Sequence, residues 1–224
     1  PVAVFMGHEE AVVGESVKGD SGPCCADHLE EQAFPLSILG NHVLAVKAKP
    51  RGSEPDVWRI QAAEPNITLT TSPPQAGANG VTLAKRGDYV EVVTADSFEV
   101  NATGKIQVGQ YLVSQGATED FTGDPSLILA VPSVRFRESY VLMVPPDYTE
   151  NWVTVIAQKG TTVSVDGTPV AAGDYIAFGG GNWTFAYVPL EAGIHTFTGD
   201  QAFGLVSYGY NNAVSYGYPG GLSD

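Results

Sequence analysis

The chain has 224 residues, a formal net charge of −14 at pH 7, and 43% hydrophobic against 16% charged residues. This composition excludes a disordered chain, and the acidic balance excludes the basic face that nucleic acid or an anionic membrane requires. No apolar run reaches the roughly 18–20 residues that span a bilayer, so we expect no membrane insertion. Frequent glycine and proline between short apolar runs is typical of a turn-rich β protein.

The first part of the chain, residues 1–40, is predicted to pack on the rest through an N-terminal strand at residues 1–7 and one short helix near residues 27–34. Asp27 can cap this helix, and Glu30 completes a capping box three residues later. Pro35 would then end it, since proline cannot continue a helix.

After residue 40, apolar residues alternate with period two in runs rich in Val, Ile, Thr, Tyr and Phe. Gly, Pro, Asn or Asp bounds each run, which predicts a series of short strands. Asp166-Gly167 stands between two such runs and predicts a tight hairpin turn.

Several blocks recur in the same order with offsets of 86 to 98 residues, which indicates an internal duplication. The pairs are Val43–Val46 with Val141–Val144, Trp58 with Trp152, Thr68–Thr70 with Thr162–Ser164, Gly87–Val90 with Gly173–Ile176, and Ile106, Val108 and Tyr111 with Phe203, Leu205 and Tyr208. We therefore predict an all-β fold of two tandem antiparallel β-sandwich units, residues 41–137 and 138–219. Trp58 and Trp152 are expected to be equivalent core residues.

The sequence offers no support for catalysis. It contains no G-x-S-x-G motif, and its pattern marks no Ser, His and acid arrangement among the four histidines. Adjacent acids such as Glu9-Glu10 and Glu30-Glu31 are far more often a solvated face than a glycosidase pair. We expect the protein not to be an enzyme.

The run Cys24-Cys25-Ala26-Asp27-His28 concentrates the reactive side chains of the chain. Three states are open to the two cysteines: a vicinal disulfide, free or intermolecular thiols, and zinc ligation with help from Asp27 and His28. Structural zinc sites usually space their cysteines by two to four residues, which ranks zinc last. The metal, if any, is unknown from sequence.

Two acidic loops and an aromatic C-terminus are further binding candidates. Oxygen ligands for calcium could come from Glu119-Asp120 with Asp124 or from Asp147 with Glu150, although neither loop has the EF-hand pattern. Tyr210, Tyr216 and Tyr218 could stack on a sugar or anchor a protein, or could equally fill the core from one strand face. Three N-x-T sequons could carry glycans in a eukaryotic secretory route.

Eight short motifs in a fixed order resemble the N-terminal domain of IgGFc-binding protein, a family also common in bacterial surface and secreted proteins. The motifs run from P-V-A-V-F-M-G-H at 1–8 and D-H-L-E-E-Q at 27–32, through V-G-Q-Y-L-V at 108–113, G-D-P-S at 123–126, V-D-G at 165–167 and G-I-H at 193–195, to F-G-L-V-S-Y-G-Y at 203–210 and S-Y-G-Y-P-G-G at 215–221. Members usually carry one cysteine after the G-H pair and another before D-H-L. Here Glu9 takes the first position, so the resemblance favours a local Cys24–Cys25 bond.

The resemblance implies an extracellular or cell-surface module for adhesion or ligand binding, without catalytic residues, within a larger multidomain protein. Its partner would be a protein or glycan ligand, and no residue identifies immunoglobulin. Two other functions stay open: a carbohydrate-binding module that uses the tryptophans or C-terminal tyrosines, and a structural subunit of a surface layer or filament. An exposed aromatic row would favour the first, and strand exchange between copies the second.

Overall fold

The computed structural model describes residues 2–15 and 24–223, and in this part the regular structure is almost entirely antiparallel strands. Short 3-10 helices occur at Gln115–Ala117, Ser133–Arg135 and Ala172–Asp174. No helix within the described ranges is long and apolar enough to cross a membrane. The predicted all-β class is confirmed.

A two-stranded N-terminal ribbon precedes two larger sheets. The ribbon consists of β1 (Phe5–Ala11) and β2 (Asp27–Gln32). The sheet of unit 1 contains β3 (Gly40–Ala45), β4 (Asp56–Ala62), β5 (Ile67–Ser72), β6 (Thr82–Leu83), β7 (Tyr89–Thr94), β8 (Phe98–Leu112) and β9 (Ser126–Leu129). The sheet of unit 2 contains β10 (Arg137–Val144), β11 (Glu150–Gln158), β12 (Val163–Val165), β13 (Thr168–Pro169), β14 (Ile176–Phe178), β15 (Trp183–Pro189), β16 (Gly193–Asn211) and β17 (Val214–Pro219).

Each unit is organised around one long strand that exchanges partners along its length. In unit 1, β8 pairs with β3 and β5 through its first half and with β4 and β9 through its second half. In unit 2, β16 pairs with β10 and β12 and then with β11 and β17. A sheet that changes partners in this way curls over itself, so each unit encloses its own apolar core. This repeated pattern is consistent with two tandem units.

The ribbon corrects the prediction of a helix near residues 27–34. Residues 27–32 form strand β2, which pairs antiparallel with β1 from Asp27 opposite Ala11 to Gln32 opposite Phe5. Only Leu29 in this strand is fully buried. A helix of one or two turns is marginal in water, so the hydrogen bonds of strand pairing outweigh the capping signal. The N-terminal strand likewise pairs with β2 rather than with a sandwich sheet, and Pro1 lies outside the described residues.

The burial pattern also corrects the register of two repeat blocks. Val43 is buried in the core of unit 1, whereas Val141, its partner at offset 98, is 68% exposed. Tyr140 is the buried residue in that place, because it faces Phe197 on β16 as Val43 faces Val100 on β8. A slip of one residue turns every side chain of a strand to the opposite face.

Trp58 and Trp152 differ for the same reason. Trp58 is 1% exposed in the core of unit 1, as predicted, but Trp152 is half-buried and packs near the junction of the two units. Val153 is the residue of β11 that faces the core of unit 2. The expectation that the two tryptophans are equivalent core residues is therefore wrong for Trp152.

Two further apolar clusters join the units. Leu44 and Val46 of unit 1 pack with Phe136, Phe178 and Phe185 in one cluster. In the second, Leu112 and Ile128 of unit 1 pack with Tyr208 and Tyr210 of unit 2. The units therefore share a continuous buried boundary. The hairpin predicted at Asp166-Gly167 is confirmed, since both residues have positive φ between β12 and β13.

Candidate functional site

A cavity of about 610 Å³ lies between the N-terminal ribbon and the outward face of unit 1. We call it the ribbon groove. One wall is β1, including Met6, His8 and Glu10, and the floor carries Arg59 of β4 and Tyr111 of β8. Within the described residues β1 pairs only with β2, so its other edge has no strand partner. The volume falls within the range of ligand-binding clefts.

On the floor of the ribbon groove, Arg59 contacts a carboxylate and two tyrosine rings, of which Tyr111 lines the groove. The Arg59 guanidinium donates to a Glu91 carboxylate oxygen at 2.9 Å, and its carbon lies 4.8 Å from the ring centroid of Tyr89 and 5.3 Å from that of Tyr111. These contacts hold a cation and two rings on three neighbouring strands. The arrangement can offer hydrogen bonds, a charge and apolar ring surface to a ligand.

Glu31 fixes the ribbon over this face. Its carboxylate accepts backbone hydrogen bonds from Gln32 and from Leu129 of β9. Burial raises the pKa of Glu31 to about 7, and the two backbone hydrogen bonds only partly oppose this rise. The carboxyl group therefore titrates near neutral pH at the contact between ribbon and sheet.

The loop before β2 is held against the junction of the units. The sulfur atoms of Cys24 and Cys25 are placed within bonding distance, and the Gly116 N–H donates to the Cys24 carbonyl. The Asp124 carboxylate accepts backbone hydrogen bonds from Cys25 and Gln115. Both the vicinal bond and a binding role for this loop remain predictions.

Asp124 is 2% exposed, and one of its carboxylate oxygens has no hydrogen-bond partner. Burial raises the pKa of Asp124 to about 6, and the nearby charge of Asp27 adds to the rise. The Arg51 guanidinium opposes it while it donates to the carbonyl oxygens of Thr122 and Val113.

The structure brings Asp27 near the aromatic C-terminus but leaves His28 apart. Burial is the main cause that raises the pKa of Tyr148, and the nearby charge of Asp27 adds to the rise. The ring centroids of Tyr148 and Tyr216 are 4.6 Å apart. His28 is exposed and lies 3.2 Å from a carboxylate oxygen of Glu30. Within the described residues no group of three or more His, Cys, Asp or Glu side chains could hold a metal ion.

The three C-terminal tyrosines are bound into the structure rather than arranged as a free row. Tyr210 is buried beneath Arg51, whose guanidinium carbon lies 4.3 Å from the ring centroid. The Tyr216 hydroxyl donates to Asn151 Oδ1 at 3.0 Å, and the Tyr218 hydroxyl donates to the Met143 carbonyl at 2.6 Å.

A cluster of polar side chains at the junction of the units was not predicted from the sequence. His42 Nδ1 lies 2.5 Å from Ser133 Oγ, and His42 Nε2 lies 2.7 Å from Glu99 Oε1. Burial alone would raise the pKa of Glu99, but hydrogen bonds from Asn101 and His42 hold it below its ordinary value. The His42 ring also contacts Trp183 of unit 2 at 5.8 Å. The two hydrogen bonds join β3 to β8 and to the 3-10 helix at Ser133–Arg135, and the ring contact joins β3 to unit 2.

The ribbon groove was also missed, although the sequence holds a weak signal for it. Arg59 stands between Trp58 and Ile60, so alternation places its side chain on the outward face of a strand. Glu91 and Tyr111 occupy similar outward positions. What the sequence could not supply is the pairing that sets these three strands side by side and the ribbon above them.

Two curled antiparallel sheets, with a groove beside a strand that has only one strand partner among the described residues, define a protein of the all-β class. The chain belongs to the IgGFc binding protein family, whose family model matches residues 1–209. This family consists of non-enzymatic, typically extracellular binding modules.

Two solved structures give distant similarities. One is an anti-sigma factor domain-containing protein at 9% identity and a TM-score of 0.21, covering 82% of this chain and 83% of that one. The other, an anti-sigma factor domain-containing protein from Clostridium clariflavum, has 9% identity and a TM-score of 0.24 over 99% of this chain and 98% of that chain. A comparison with curated proteins finds no match.

Proposed function

We propose that this chain is a non-catalytic adhesion module of a larger cell-surface protein and that it holds a protein ligand in the ribbon groove. The observation that carries the proposal is the groove itself, which sets β1, a strand with only one strand partner among the described residues, beside Arg59 and Tyr111. An unpaired edge offers backbone donors and acceptors to an incoming chain, and side chains on the floor supply selectivity. Membership of a binding-module family supports this role.

A binding experiment with matched variants tests the proposal. The chain is immobilised and exposed to proteins extracted from the surface that the organism meets, with IgG Fc included because of the family's description. Arg59→Ala and Tyr111→Ala should each reduce capture at least about tenfold, as loss of an interface anchor does. Arg86→Ala is the control, since Arg86 is exposed and does not line the groove.

The outcomes separate the alternatives. Capture that persists in both groove variants would place the ligand elsewhere. Binding on a glycan array, reduced by substitutions at Tyr216 or Tyr218, would favour a carbohydrate-binding module. The contacts of these tyrosines support that alternative less, because their hydroxyls are already bonded and their rings contact each other at 5.8 Å. Trp58 is buried and offers no platform.

A further inference from the structure

A second, smaller cavity of about 280 Å³ lies at one end of unit 2, away from the ribbon groove. We call it the end pocket. Its walls are Pro146 and residues 148–152, which include the start of β11, and residues 189–192, which include the end of β15. Half-buried Tyr148 and Trp152 supply aromatic surface, and Glu150 and Glu191 supply exposed carboxylates.

The charges of the end pocket have one sign. The described residues that line the pocket include no lysine or arginine, so its two carboxylates are not neutralised from within. Glu150 Oε2 accepts a hydrogen bond from Trp152 Nε1 at 3.2 Å, which fixes the indole ring beside a negative charge. In the described residues the Glu191 carboxylate makes no hydrogen bond or ion pair, so it is free to meet a ligand.

The walls of the end pocket are fixed by buried hydrogen bonds. Asn151, only 8% exposed, accepts a bond from the Leu190 N–H at its carbonyl and from the Tyr216 hydroxyl at its side chain. Its amide donates to the Tyr148 carbonyl at 3.4 Å. A pocket held in this way needs little reorganisation to receive a ligand.

We propose that the end pocket binds a quaternary ammonium ion. Aromatic faces attract such cations through the ring quadrupole, and adjacent carboxylates add Coulombic attraction. The chain shows the same chemistry internally. Lys49 Nζ lies 5.2 Å from the Trp152 ring centroid and 5.5 Å from that of Tyr187, although Lys49 does not line the pocket.

Choline and its uncharged isostere 3,3-dimethyl-1-butanol provide a direct test. Each is titrated into the ¹⁵N-labelled chain, and the indole N–H resonance of Trp152, assigned with Trp152→Phe, is followed by NMR. Choline should shift this resonance in a saturable way, with an affinity about tenfold above that of the isostere, because only choline carries the charge. Glu191→Gln should weaken choline by about threefold or more while the chain stays folded. Glu138→Gln, an exposed acid on β10 outside the pocket, should change nothing.

Three results would overturn the proposal. Equal binding of choline and the isostere would mean that the pocket recognises the apolar methyl groups and not the charge. An unchanged choline affinity in Glu191→Gln would place the cation elsewhere. A neutral methyl glycoside that shifts the same resonance while choline does not would assign the pocket to sugars. The ribbon groove takes no part in these measurements, so their failure would leave the function proposed for that groove unaffected.

Discussion

The two units share a pairing pattern but fill their cores with different side chains. The core residue of β4 is the large Trp58, whereas the corresponding core residue of β11 in unit 2 is the smaller Val153. On the long central strands the larger side chain is in unit 2, since Ile106 of unit 1 corresponds to Phe203 of unit 2. Close packing requires a constant filled volume rather than constant identities. The comparison teaches that one pattern of strand pairing can enclose cores built from different side chains.

The outward faces of the units differ more than their cores. The ribbon covers part of unit 1 and forms a groove there. On unit 2, strands β10 and β16 leave Val141, Met143 and Ile194 between 67% and 73% exposed, whereas Leu44 and Val46 of β3, the strand that corresponds to β10, are buried at the junction of the units. The two units therefore share a pairing pattern but differ in which of their outward faces are covered.

The largest expected effect breaks the apparent equivalence of the tryptophans. Trp58→Ala should lower the free energy of unfolding by about 3–5 kcal/mol, because it leaves a large cavity in the core of unit 1. Trp152→Ala should cost about half as much or less, since its ring is only half-buried. Urea denaturation of both variants measures the difference, and equal losses would contradict the corrected register.

Asp124, at the junction of the units, should make stability depend on pH. Its pKa is about 6 in the folded chain against an ordinary value of 3.8, so the folded state binds more protons between these pH values. Stability from this group is greatest below pH 4 and is lost as pH rises to about 6. The loss should approach about 3 kcal/mol.

Asp124→Asn should remove the contribution of Asp124 to that dependence, because asparagine does not ionise but can still accept the backbone bonds. Denaturation midpoints at pH 4, 5, 6 and 7 would measure it, with Asp96→Asn, an exposed turn residue, as control. Glu31 contributes a dependence of the same sign, so Asp124→Asn should reduce the wild-type slope rather than abolish it, and a slope that is not reduced would contradict the role of Asp124.

Two smaller effects test whether Val43 and Val141 occupy equivalent positions in the two units. Val43→Ala should cost about 2 kcal/mol, since two buried methyl groups are lost from the core of unit 1. Val141→Ala should lie within about 0.5 kcal/mol of the wild type, because its side chain is 68% exposed. Comparable losses of stability in thermal unfolding would indicate that Val43 and Val141 are equivalent, as the offset of 98 predicts.

A further small effect concerns Cys24 and Cys25 in the loop before β2. Intact mass spectrometry of the unreduced chain should give a mass about two hydrogens below that of the reduced chain, which reports the vicinal bond. Reduction should lower stability by only about 1 kcal/mol, because a bond between neighbours closes a very short loop. A fully reduced mass after oxidising preparation would exclude the bond, and a metal-shifted native mass would favour zinc.

The sequence by itself determined the features that depend on local pattern. Alternation with period two specifies strands, the Asp166-Gly167 pair specifies a hairpin, and recurring blocks indicate a repeated unit. Each of these signals lies within a few residues or between similar stretches, so no knowledge of spatial neighbours is needed.

Tertiary structure alone decided the features that depend on distant partners. Residues 27–32 became a strand because β1 was available to pair with them, although their own sequence favours a helix. The facing of Trp152 and Val141 followed from pairing with β16, where one residue of slip reverses burial. The cluster of Ser133, His42 and Glu99 likewise joins residues 57 and 91 positions apart in the chain, and the ribbon groove joins β1 to residues of β4, β7 and β8. Such contacts form only when the whole fold closes, because their energy comes from packing and pairing rather than from local preference.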